Sequence, residues 1–174
     1  MAAAAAGTLL VAAALTATGA SAGADGDNST IRERLSGYQE DPMTFSTTGT
    51  GEFVAHVDRA SQRIEYELSY SSLEGNVLQA HIHLGQRAQS GGISVFLCTN
   101  LGNGPAGTQL CPAAPATVSG VIVPADVIGP AGQGITAGQF GELARAIRSE
   151  VTYVNVHTSL YQGGEIRAQL ADPH

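Results

Sequence analysis

Short stretches in which apolar and polar residues alternate at a period of two recur along this chain, and they restrict it to a fold of half-buried β-strands. Phe53, Ala55 and Val57 alternate with Glu52, Val54, His56 and Asp58. After a turn at Arg59-Ala60-Ser61-Gln62, Ile64, Tyr66 and Leu68 alternate with Arg63, Glu65, Glu67 and Ser69. Successive side chains of a strand point to opposite faces, so these two runs predict a hairpin with one dry face and one wet face. Ile93, Val95 and Leu97 form the core phase of a later strand. Residues 117–123 predict a further strand with Gly120 at a bulge, and 151–158 and 165–170 predict a closing pair. Residues 136–149 are the one good helix candidate: Thr136 can cap it, and Phe140, Leu143, Ala144 and Ile147 make a single apolar stripe. About seven short antiparallel strands and one short helix predict an all-β fold, an antiparallel β-sandwich or small Greek-key barrel.

One core accounts for the length. Of 174 residues, 1–22 read as a signal peptide, an Ala/Leu/Val run ending in Ala20-Ser21-Ala22, although the first basic residue is Arg32 and the usual positive start is missing. The run is too short and too weakly apolar to predict a membrane span once the leader is removed. Residues 23–47 are polar, acidic and without apolar period, and read as a flexible lead-in. The β domain is then expected over 48–171. Two cysteines, Cys98 and Cys111, flank a loop rich in Gly, Pro and Asn. In an exported chain such a pair suggests a disulfide, contributing about 3 kcal/mol by the chain-entropy account. The competing thiolate metal site fits no zinc spacing.

The histidines carry the chemistry. In Ala80-His81-Ile82-His83-Leu84-Gly85 the residues i and i+2 share a strand face, so His81 and His83 project together while Ala80, Ile82 and Leu84 face the other way. His56 and His157 also fall in the wetter phase of their strands, and Tyr153 and Asn155 share that phase with His157 as polar groups of the sheet face. If the strands are neighbours, His81, His83 and His157, with His56 as a further candidate, cluster outside the core and suit copper or zinc. The bland alternative is a set of surface imidazoles bonded to neighbouring carbonyls or carboxylates. Metal binding should then weaken as pH falls through about 6.5. For Glu165 and Arg167 the plain reading is a cross-strand ion pair of small net value.

These segments resemble the CHRD domain, the module repeated in chordin and found alone in bacterial exported proteins. The resemblance rests on Ala-His-Ile-His-Leu-Gly at 80–85, on Gly91-Gly92-Ile93-Ser94-Val95-Phe96-Leu97-Cys98, on Tyr153-Val154-Asn155-Val156-His157-Thr158, and on the motif containing Gly163, Gly164, Glu165 and Arg167. Where the family usually has Asn-Pro before the Gly-Gly-Glu turn, this chain has Leu160-Tyr161-Gln162. The resemblance implies an all-β secreted module that meets an extracellular protein or surface ligand, and it brings no settled activity. The His-x-His strand is also similar to that of copper-zinc superoxide dismutase, but the likeness covers one tripeptide and the other ligands find no match. A histidine-based copper or zinc site, or a redox domain of that type, is therefore the second expectation.

Several classes find no support. A net charge of −7, with eight arginines, no lysine and fifteen carboxylates, disfavours a nucleic-acid surface. Gly102-Asn103-Gly104-Pro105-Ala106-Gly107 matches G-x-G-x-x-G as a string, but Pro105 and the flanking cysteines describe a surface loop rather than a strand-to-helix turn. No nucleophile elbow, H-E-x-x-H helix or phosphate loop is present. The expectation is a binding or structural module with no catalytic residue evident in the sequence.

Overall fold

The computed structural model describes residues 1–3 and 28–171. The signal-peptide reading of 1–22 falls almost wholly outside them. Among these residues eight strands form, β1 Asn28–Ser36, β2 Thr50–Asp58, β3 Arg63–Ser71, β4 Val77–Leu84, β5 Gly92–Thr99, β6 Ala116–Ile122, β7 Thr152–Thr158 and β8 Ile166–Leu170, with one α-helix, α1 Phe140–Arg148. They make one antiparallel sheet in the order β5-β4-β7-β8-β1-β2-β3-β6. The sheet curls until its two edge strands approach each other. The Tyr66 hydroxyl on β3 donates to Leu97 O on β5 at 3.1 Å, and the Gln109 amide donates to Leu97 O and to Ser119 O on β6, each at 3.1 Å. The result is a nearly closed barrel with a short helix, within the all-β class that the period-2 pattern predicts. No described helix is long and apolar enough to cross a membrane.

The expected hairpin is β2 and β3, with Phe53, Ala55, Val57, Ile64, Tyr66 and Leu68 all buried in the core. Helix α1 keeps the expected stripe of Phe140, Leu143, Ala144 and Ile147 against that core. It starts later than the sequence predicts: Gln139, not Thr136, is the N-cap, because the Gln139 side chain accepts the Thr136 N–H at 2.7 Å and shapes a turn ahead of the helix. Gly120 does not mark a bulge. It pairs in regular register with Tyr66, and a Cβ there would stand 2.9–3.1 Å from the Tyr66 ring and hydroxyl. Cys98 and Cys111 form the disulfide, with Cα atoms 5.0 Å apart.

Two expectations need correction. The segment 23–47, read as a flexible lead-in, contains β1, which pairs along its whole length with β2 and buries Ile31 and Leu35. Its apolar period is interrupted at Glu33, which occupies the inward phase between them and is half-buried, with desolvation raising its carboxyl above the usual range. The second correction concerns the outer face of β4, β7 and β8. It is not wet: every residue of β7 and of β8 is buried. Loops cover it. Arg167 donates to Gln86 O and Gln89 O, and Gln169 to Gly85 O and Glu150 O, tying the connections before β5 and β7 across the sheet.

Candidate metal centre

The register explains why three histidines meet. On β4, His81 pairs with Asn155 of β7 and His83 with Tyr153, while His157 sits opposite Gln79, one step along the same face. Side chains on neighbouring strands at opposite and diagonal positions lie within reach of one another, so β4 and β7 bring His81, His83 and His157 to one place. Their ligand-capable nitrogens lie within 4.8 Å of one another, and they form the one group of at least three His, Cys, Asp or Glu side chains so placed among the described residues. The three residues are 0%, 7% and 7% exposed. The expectation that they share a face opposite Ile82 and Val156 agrees with the fold; the expectation that this face is outside does not, because the loops described above enclose it. His56 stands apart, exposed and with Nδ1 2.9 Å from Thr30 Oγ1.

Backbone carbonyls fix two of the tautomers. His83 Nδ1 donates to Gly91 O at 2.9 Å and His157 Nδ1 donates to Gln162 O at 2.9 Å, which leaves the Nε2 of each neutral ring as a lone pair. His81 Nδ1 lies 3.1 Å from His157 Nε2. Nitrogens held about 2.0–2.1 Å from one tetrahedral ion would be about 3.3–3.4 Å apart, so that pair is spaced like two ligands of a single metal. His81 Nε2 and His83 Nε2 are buried with no hydrogen-bond partner. Native structures rarely leave buried polar atoms unsatisfied, and such a cluster calls for an ion or a water.

The surroundings are aromatic and largely uncharged. Phe96 meets His81 edge-on with centroids 4.4 Å apart, and Tyr153 stacks on His83 at 4.8 Å with the rings nearly parallel. The Arg167 guanidinium lies 3.5 Å from the Tyr153 ring centroid, a cation–π contact. Burial, reinforced by neighbouring rings, holds His81 far below the usual imidazole range and His83 down at about 4, and burial lowers His157 as well. All three are neutral, as metal ligands must be.

Glu165 and Arg167 are not partners of one another, contrary to the ion-pair expectation. The buried Glu165 carboxylate accepts from Thr47 Oγ1, Glu74 N and Thr158 Oγ1, each at 2.7 Å. Arg167 is spent on the Gln86 and Gln89 carbonyls and on Tyr153. Gly164 has φ +135°, and a Cβ there would stand 2.4 Å from Glu40 Oε1, so this turn requires glycine at that position; Gly163 meets no such obstacle. Sequence reasoning missed Gly91 and Gln162, which act through backbone carbonyls and leave no side-chain signal. It placed Asn155 on the sheet face but not its burial within the cluster.

Comparison with known proteins agrees with the motifs. No curated protein and no solved structure gives a significant match. The CHRD domain profile matches residues 31–170, a span that begins inside β1 and ends with β8 and so takes in every strand and all three histidines. This chain belongs to the CHRD domain family.

Proposed function

We propose that this domain is an extracytoplasmic binding module that holds a copper or zinc ion on His81, His83 and His157. The observation that carries the reading is the convergence of three buried imidazoles, two of them oriented by carbonyls. Ligating histidines characteristically donate their second N–H to such an acceptor, which fixes the ring and strengthens the ligand. The enclosure of the rings favours a held ion over turnover of a diffusing substrate, since catalytic zinc sites keep an open position. Placement outside the cytoplasm is supported by the Cys98–Cys111 disulfide, which suits an oxidising compartment. A partner-binding surface finds its support in Leu101 and Leu110, which are exposed on the loop that the disulfide closes.

Elemental analysis of purified protein, followed by calorimetric titration with Zn(II) and Cu(II) at neutral pH, tests the metal. About one equivalent is expected for the wild type and none for the His81→Ala/His83→Ala double variant. Equal affinity in the two proteins would return these histidines to a structural role.

A further inference from the structure

Asn155 occupies the middle of the histidine cluster. It is directly opposite His81 across the β4–β7 ladder and shares its face with His157 and Tyr153, the latter opposite His83. The side chain is 2% exposed, and its amide donates weakly to Gly163 O at 3.5 Å while Oδ1 is buried with no partner. Oδ1 is therefore the third unsatisfied buried polar atom in this small region, with His81 Nε2 and His83 Nε2. A buried amide oxygen without a donor is costly, by the full desolvation penalty of the group. The side chain lies against the His83 ring, where it favours the protonated imidazole, yet no donor reaches Oδ1 within hydrogen-bond geometry.

We propose that Asn155 Oδ1 is the fourth ligand of this centre, closing a three-nitrogen, one-oxygen shell; the proposal rests on the metal reading above. Four-coordinate zinc with all positions filled by protein is the arrangement of structural sites, whereas three protein ligands leave a place for water or substrate. A neutral amide oxygen would supply the last position through a lone pair. The ion is thereby sealed from exogenous ligands, and its effect is to tie β4 to β7.

Cobalt(II) substitution reports the coordination directly. Wild-type protein loaded with Co(II) should give tetrahedral visible bands that do not change on adding azide. Asn155→Ala should open the fourth position, so azide shifts the spectrum, and Zn(II) affinity should fall at least tenfold. Asn155→Asp, which keeps the shape and adds a charge, should bind Zn(II) at least tenfold more tightly than wild type and stay insensitive to azide. That variant keeps the test decisive if Asn155→Ala does not fold. Azide-sensitive spectra in the wild type, or Zn(II) affinity within twofold of wild type in either folded variant, would overturn Asn155 as a ligand while leaving the three histidines in place. Failure of the wild type to take up Co(II) or Zn(II) at all would overturn both readings.

Discussion

His81 and His157 are 76 residues apart in sequence, yet His81 Nδ1 lies 3.1 Å from His157 Nε2 in a region closed to solvent. Since His157 already donates through Nδ1, a neutral pair can share only the His81 proton, which leaves His81 Nε2 without a donor. A metal ion held between His81 Nδ1 and His157 Nε2 would take both lone pairs and move the His81 proton to Nε2, whereas an added proton charges a buried ring.

The cost of charging those rings sets a pH dependence. In the unfolded chain each imidazole takes up a proton near 6.5, whereas in the fold burial delays this to about 4 for His83 and lowers His81 and His157 as well. Below pH 6.5 the unfolded state therefore binds more protons, and stability of the metal-free protein falls as pH drops from 6.5 toward 4. Above 6.5 the rings are neutral in both states and contribute no slope. For His83 alone the difference amounts to roughly 3 kcal/mol over that window. Urea midpoints between pH 7.5 and 4.5 should show the decline, and His83→Leu should make it shallower, leaving the share of His81 and His157. Parallel slopes in wild type and variant would remove this account.

Glu40 gives a slope of the opposite sign. It is 6% exposed, with Oε1 unpartnered and the carboxyl packed on Gly164. Desolvation outweighs the attraction of Arg167 and pushes it up to about 8. The unfolded chain releases this proton near 4.5 and the folded chain holds it, so stability is lost as pH rises from 4.5 to 8. Glu40→Gln removes the penalty and should stabilise by roughly 3 kcal/mol at pH 7, with little effect at pH 4. Denaturant midpoints at those two values decide it, and an equal effect at both would point to packing instead of charge.

Residues 51–71 were legible because one face of that hairpin is dry and the other wet, which writes a period of two into the sequence. β1 was not, since Glu33 stands in its inward phase and hides the run from Ile31 to Leu35. The histidine trio was legible as a shared face but not as an interior. A strand pattern records which side chains point together, while the cover on the second face comes from loops such as 86–91 whose contacts are made by carbonyls of Gln86, Gln89 and Gly91. Glu165 shows the same limit. A cross-strand ion pair was the expectation for it, but its real partners are two threonine hydroxyls and two amides, all but Thr158 drawn from residues 47–75 and brought near only by the closed sheet.

Gly91 offers a test of the carbonyl that orients His83. Its own amide donates to the Tyr153 hydroxyl at 3.2 Å and its oxygen accepts from His83 Nδ1 at 2.9 Å, so one residue holds both stacked rings. A Cβ at this position would lie 1.7 Å from Leu84 O, so alanine must push the segment away from β4. Gly91→Ala should cost about 1–3 kcal/mol as an overpacking change. Losing the partner of a ligating histidine should also weaken Zn(II) binding by roughly 10–100-fold. Gly132→Ala is the control, since a Cβ there meets nothing within 4 Å. Zinc titration of both variants separates the outcomes: if Gly91→Ala binds as Gly132→Ala does, the Gly91 carbonyl does not set the geometry of His83.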